Sequence, residues 1–214
     1  MTYQQAVFGN DEFYHVVNRG VEKRLTFLDK RDYQRFLQTL EYYRFKNPPT
    51  RFSFKNRPNI LKKGSSNEVL IEVICFCLMP NHFHLLLKQA KENGISVFLS
   101  KLTNSYTKYF NTRHKRVGPL FQGSFKAVRI EDDEQLVHTS RYIHLNPLID
   151  YLVKNLRVYQ YSSYRQFLDL EDGFCKIHYV LDRFPSPGAY EKFVLDQEEY
   201  GRTIKKIERL LLED

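Results

Sequence analysis

The stretch Leu78-Met79-Pro80-Asn81-His82-Phe83-His84-Leu85-Leu86-Leu87 constrains the fold more than any other part of the chain. Side chains alternate across a strand, so residues two apart share a face. If residues 82–88 form a strand, both imidazoles leave one face and Phe83 leaves the other. The three leucines that follow mark that strand as buried. Burying two polar rings on one face is costly unless something satisfies them. A divalent metal would do so. The preceding run, Val69 to Leu78, is strongly β-prone, and Met79-Pro80-Asn81 reads as the turn between the two strands.

Other elements follow from spacing. Phe13 to Arg19 reads as a strand closed by a turn at Gly20. Asp29 is placed to cap a helix through Tyr33, Phe36, Leu37, Leu40 and Tyr43. Ile95 to Arg113 has helical spacing. Gly118-Pro119 and Gly123 punctuate a basic, hairpin-like connection through Phe125, Val128 and Ile130. Asp132 or Asp133 caps a further helix through Leu136, Val137, Ser140, Ile143 and Asn146, ended by Pro147. Tyr159 to Tyr164 starts a short helix, and helical segments are expected around 179–184 and 189–211. The order predicts an α+β fold: an antiparallel sheet with helices packed on it, ferredoxin-like or RNA-recognition-like. Residues 46–67 read as a long irregular loop. The aromatics Phe45, Phe52 and Phe54, at its start and among its positive charges, could stack unpaired bases or pin the loop to the core; pinning is the expectation.

The chain has 214 residues, 42% of them hydrophobic, which fits one domain with appendages. No apolar run approaches the roughly 20 residues that span a bilayer. The N-terminus lacks a charged start followed by an apolar segment, so no secretory signal is expected. Three cysteines, an odd and low count, argue against a disulfide framework. A cytoplasmic protein is expected. Net charge is +8, and its placement is informative. Residues 44–63 hold seven basic side chains and no acid, and residues 101–130 hold seven more, again without an acid. The rest of the chain is net acidic. Charge concentrated in this way points to a polyanionic partner, nucleic acid first among them.

On the 133–146 helix, residues four apart share a face, so His138, Tyr142 and Asn146 line up. An amide oxygen is a plausible third metal ligand beside two imidazoles. A tyrosine beside a metal that also binds a phosphodiester can attack phosphorus and become covalently linked. Tyr106 and Tyr109 lie in an equally basic stretch and compete for that role. His138 and His144 are the nearby proton carriers to consider. A different reading pairs Cys75-Phe76-Cys77 with His82 and His84 across the hairpin as a Cys₂His₂ zinc site. A third is a nucleic-acid binder without catalysis.

Several motifs in order resemble one family. Met79-Pro80-Asn81-His82-Phe83-His84-Leu85-Leu86 is similar to the His-hydrophobe-His (HUH) motif of single-tyrosine transposases. Arg141-Tyr142-Ile143-His144-Leu145-Asn146-Pro147 resembles the tyrosine helix of the REP-associated branch. Gly118 to Lys126, Asn18-Arg19-Gly20 and Tyr161-Ser162-Ser163-Tyr164 are similar too, so the resemblance spans roughly residues 10–165. It implies a core over 1–154 and a helical C-terminal extension over 155–214. It implies that His82, His84 and Asn146 hold Mg²⁺ or Mn²⁺, although the wider family often has Gln at the third position. Tyr142 would be the nucleophile, cleaving single-stranded DNA to a 5′-phosphotyrosine link and a free 3′-OH. Single-stranded or hairpin DNA would be the partner, with Arg19, Arg113, Lys115, Arg116 and Lys126 as contacts. A monomer is expected over a homodimer, because the extension would occupy the shared surface.

Overall fold

The structure is a computed structural model and describes residues 8–48, 50–54 and 68–203. Lys55, Arg57, Lys62, Lys63 and the expected helical residues 204–211 lie outside the described residues.

Four antiparallel strands form one sheet in the order β2-β3-β1-β4. They are β1 (Phe13–Arg19), β2 (Ile71–Met79), β3 (His82–Gln89) and β4 (Lys126–Ile130). Pro80 and Asn81 make the two-residue turn between β2 and β3. The Pro80 carbonyl accepts the backbone N–H groups of Thr26 and Phe27, which ties the segment after β1 to that turn. Gly20 permits the tight exit from β1. A Cβ there would lie 2.3 Å from the Arg24 carbonyl oxygen, so only glycine fits.

The helix α1 (Lys30–Tyr43) begins at Asp29, whose carboxylate accepts from the Arg31 and Asp32 N–H groups. A cap of this kind contributes about 1 kcal/mol. Tyr33, Phe36, Leu40 and Tyr43 then recur on its buried side. Together with α2 (Gly94–Arg113) it covers one sheet face, where Phe36, Leu40, Phe98 and Leu102 meet Tyr14, Val16, Phe83 and Leu85. The other face carries α3 (Asp133–Ile149), α5 (His178–Leu181) and α6 (Pro187–Leu195). There Ile143, Leu148, Val180, Tyr190 and Val194 pack on Cys77, Met79 and Leu86. Full burial of each large apolar side chain contributes about 1.5–3 kcal/mol. The sheet is therefore sandwiched, which explains why six successive residues of β3 are buried. The four-stranded antiparallel sheet with packed helices is the α+β arrangement expected from the element order.

Four details differ from the sequence reading. Pro147 does not end α3; the helix continues to Ile149 because burial of Leu148 and Ile149 outweighs the one N–H that proline removes. The 118–130 connection is not a hairpin. Only residues 126–130 are extended, and they add to the β1 edge. Tyr161 to Ser163 precede α4 (Tyr164–Phe167) and cover the β2 edge, the Tyr161 carbonyl accepting from Leu78 N–H and Ser163 N–H donating to the Phe76 carbonyl. Covering an edge in this way blocks unwanted strand pairing. Finally, α6 starts two residues early. Ser186 caps it and Pro187 occupies the first turn, where a missing N–H costs nothing. A further helical turn covers 198–203. No helix among the described residues is long and apolar enough to cross a membrane.

Candidate active site

Pairing places the site residues before any side chain is considered. In β3, His82 and His84 alternate with the core residues Phe83 and Leu85, so they share the face covered by α3. In the β1–β3 register, Val17 lies opposite His84 and Arg19 opposite His82. His15, two residues before Val17, shares that face and reaches diagonally to His84. Its Nε2 lies 3.0 Å from His84 Nδ1, and the two rings are stacked.

The sequence reading did not include His15. Burial pushes its pKa down to about 4, so it is neutral near pH 7. Either ring can donate in this contact; with the proton on His84 Nδ1 the His84 lone pair lies on Nε2, as a metal ligand would need. His82 is held in the same sense. Its Nδ1 lies 2.6 Å from Asn81 Oδ1, an acceptor, so its lone pair is on Nε2 as well. The His82 tautomer follows from its amide-oxygen partner. Partners that fix the other ring nitrogen are the usual supports of metal-binding histidines.

Above this pair, α3 presents Tyr142. Its ring lies 5.5 Å from His84 and 5.9 Å from His15, edge to face with both. Tyr142 is 50% exposed, whereas Tyr106 is fully buried and donates its hydroxyl to the Thr26 carbonyl. Burial raises the Tyr106 and Tyr109 hydroxyls above the usual tyrosine range. Tyr109 also points at Asp32. Of the three tyrosines weighed from sequence, Tyr142 alone combines exposure with the histidines. One turn on, Asn146 donates its Nδ2 to the Tyr142 carbonyl at 2.7 Å. That bond fixes the amide and leaves Oδ1 as its acceptor atom.

The donor set of two imidazole nitrogens and one amide oxygen fits a hard-to-borderline divalent cation, Mn²⁺ more comfortably than Mg²⁺. Among the described residues, no three His, Cys, Asp or Glu side chains are grouped to hold a metal. The Cys₂His₂ zinc reading is therefore not formed. Cys75 and Cys77 are buried core thiols, with Cys77 Sγ against Met79 Sδ.

The remaining histidines of α3 are employed elsewhere. His138 is exposed beside Arg141 and the Phe193 ring. His144 is fully buried between Tyr190 and Ser163, at 2.8 Å from each hydroxyl, and burial pushes its pKa down to about 3.

The cationic candidates divide into two groups. Arg19 and Lys126 are exposed and line a groove of about 510 Å³ with Val17, Asn18, Gln122 and Gly123, directly beside the paired histidines. Gly123 has φ +62 with nothing within 4 Å of a would-be Cβ, so it serves the turn rather than a close approach. Lys115 is exposed at the end of α2. Arg113, by contrast, is turned onto Asp29 and Asp32 at 2.6 and 2.5 Å. Arg116 donates to Asn111 Oδ1 and the Pro119 carbonyl. Both brace the end of α2 and the connection after it.

Known proteins share the fold of this chain. The family described as transposase IS200 like matches residues 50–146, a span that holds His82, His84, Tyr142 and Asn146. Over that span, which is less than half of the chain, the sequence is similar to IS200-like transposases. More narrowly, its likeness is to REP-associated tyrosine transposases. A protein of Haemophilus influenzae described by that name is 24% identical over 110 residues, which cover 47% of this chain and 62% of the relative. The chain therefore matches less than two thirds of that protein's length. A solved REP-associated tyrosine transposase bound to a REP hairpin has the same fold. It superposes with a TM-score of 0.55 over 83% of this chain and 90% of that one, at 15% identity.

Proposed function

We propose that this chain is a metal-assisted single-stranded DNA endonuclease and strand transferase with Tyr142 as its nucleophile. The observation that carries the reading is the half-exposed Tyr142 ring set edge-on against His84 and His15. The family match and the hairpin bound by the structural relative support DNA as the substrate.

In the proposed reaction, the Tyr142 oxygen attacks a phosphodiester phosphorus. An O–P bond forms to tyrosine and the bond from phosphorus to the 3′ oxygen breaks. The leaving oxygen takes a proton and becomes a free 3′-OH, while the 5′ phosphate stays on Tyr142. Attack by a 3′-OH on that link reverses the step, so strands rejoin or transfer without an external energy source. A tyrosine hydroxyl ordinarily has a pKa near 10, so ionising one at pH 7 costs about 4 kcal/mol. Mg²⁺ or Mn²⁺ held by His82, His84 and Asn146 would polarise the phosphate and stabilise its developing charge. Arg19 and Lys126 hold the strand beside the histidines, and alignment for in-line attack lowers the barrier further. The exposure of Tyr142 lets its proton pass to solvent.

The test mixes the protein with labelled hairpin DNA carrying a single-stranded flank, with Mn²⁺ present. A denaturation-resistant adduct that disappears in Tyr142→Phe and persists in Tyr109→Phe supports the reading. Retarded migration without an adduct refutes catalysis and leaves a binder.

A further inference from the structure

Two motifs picked out in the sequence meet on the buried side of α3. His144 lies between Tyr142 and Asn146, and Ser163 belongs to the segment that covers the β2 edge. His144 Nε2 stands 2.8 Å from Ser163 Oγ. On the other side of the ring, Nδ1 stands 2.8 Å from the Tyr190 hydroxyl of α6. That hydroxyl lies 3.1 Å from Ser140 Oγ, one turn back on α3. All four residues are fully buried.

One arrangement of protons serves every group. Ser163 Oγ accepts the Phe76 N–H at 2.8 Å and donates to His144 Nε2. His144 Nδ1 donates to Tyr190, Tyr190 donates to Ser140, and Ser140 donates to the Val137 carbonyl at 2.7 Å. The line runs without a gap from the backbone of β2 through α3 to α6 and back into α3. Apolar packing also holds α3 on the sheet, but it is non-directional. A fully satisfied buried network is directional and specifies one arrangement.

Residues two apart on a helix point to nearly opposite sides, at about 100° per residue. Ser140 and His144 therefore occupy the side of α3 away from Tyr142 and Asn146, and fixing the first pair sets the direction of the second. The lever is sensitive. A turn of α3 by about 10° moves a side-chain tip about 6 Å from its axis by about 1 Å. A misplacement of about 1 Å can cost about 100-fold in rate.

The C-terminal segment also meets α3 from its first turn to its last. Arg183, after α5, pairs with Asp133 at 2.5 Å. The Arg141 guanidinium lies 4.2 Å over the Phe193 ring of α6. A Cβ on Gly201 would come within 2.4 Å of Ile149 Cδ1. We infer that Tyr190 is a positioning residue: through His144 and Ser140 it locks the rotation of α3 and makes the C-terminal extension part of the frame that aims Tyr142 and Asn146. The role of Tyr142 rests on the function proposed above; the lock itself rests on the buried network.

The experiment uses the full chain with 3-fluorotyrosine at position 142 alone, free of DNA and metal. Tyr190→Phe removes one oxygen and leaves the ring packed on Phe167 and Phe184. Wild type gives one sharp fluorine resonance, set by the rings of His15 and His84 beside it. Tyr190→Phe broadens or splits it. Well below both melting points, single-turnover adduct formation on saturating hairpin DNA with Mn²⁺ falls about 10- to 100-fold in Tyr190→Phe, while hairpin affinity stays within about 2-fold. Tyr190→Phe, His144→Leu and Ser140→Ala combined replace the polar partners with apolar groups, which can leave stability nearly unchanged. This variant melts near wild type and still forms adduct slowly, whereas a merely structural role would restore the rate with the stability. A fluorine signal in Tyr190→Phe identical to wild type overturns the inference, whatever the adduct rate. Where wild type forms adduct, an equal rate in either variant overturns it as well. If wild type forms no adduct yet the signal broadens in Tyr190→Phe, the nucleophile reading falls and the lock stands.

Discussion

His15 Nε2 and His84 Nδ1 meet at 3.0 Å across the β1–β3 pair. The contact orients the His84 ring by engaging its Nδ1, which leaves Nε2 as the nitrogen that can face a ligand. Under the proposed reading His15 acts as a positioning residue, its Nε2 being committed to His84.

The first prediction follows from that contact. His15→Leu lowers Mn²⁺ affinity by roughly 10- to 100-fold, the usual cost of losing such a support. His15→Gln retains an acceptor and recovers most of it. Titration calorimetry or the Mn²⁺ spin-resonance signal reads this without DNA. Equal affinity in wild type and His15→Leu would show that His15 does not orient His84.

A second prediction concerns the ion cluster that joins α1 to α2. Asp32 is fully buried and accepts from Arg113, His114, Tyr109 and Leu28 N–H. Breaking a buried pair by removing one partner costs about 3–5 kcal/mol. Asp29 still holds Arg113, so Asp32→Ala should fall near the lower end, lowering the midpoint of thermal unfolding by roughly 10 °C. A change under about 2 °C would show that the cluster is not stabilising.

How much of this was legible in the chain differs by residue. The hairpin and its two same-face histidines follow from alternation alone, and Asp29 and Asp132 announce their helices by residue type. His15 did not stand out because its partner lies 69 positions away. A lone histidine in a strand says nothing until the β1–β3 register is known. Its one signal is parity: His15 shares a face with Val17 and Arg19, inside the Asn18-Arg19-Gly20 neighbourhood. Arg113 and Arg116 show the opposite problem. Their charge is visible in sequence, but the acids and carbonyls that engage them come from other elements or from backbone. Pro147 misled because the rule that proline ends helices ignores what the next two residues bury.

A third prediction uses His144. Its folded-state pKa of about 3 lies below the unfolded value near 6.5. Between these values the unfolded chain binds a proton that the folded one does not. Stability is therefore level above about pH 6.5 and falls as pH drops through the window, by up to roughly 1.4 kcal/mol per pH unit from this residue. Urea unfolding of wild type and His144→Gln at pH 7, 6 and 5 checks it, with the steeper loss expected in wild type. Parallel profiles would remove His144 as a source of acid sensitivity.

A fourth prediction separates the cations. Arg19→Gln and Lys126→Gln, which open to the groove beside the histidines, reduce adduct formation on short single strands. Arg113→Gln should instead lower the melting temperature, since its guanidinium is already committed to Asp29 and Asp32. Reduced adduct without loss of stability in Arg113→Gln would reverse that assignment.

The most direct test of the central claim is to digest the covalent DNA adduct with protease and locate the attached nucleotide by tandem mass spectrometry. The account predicts a 5′-phosphate on the Tyr142 side chain and nowhere else. A phosphate on Tyr109, on another residue, or no covalent product from folded, Mn²⁺-bound protein would contradict it.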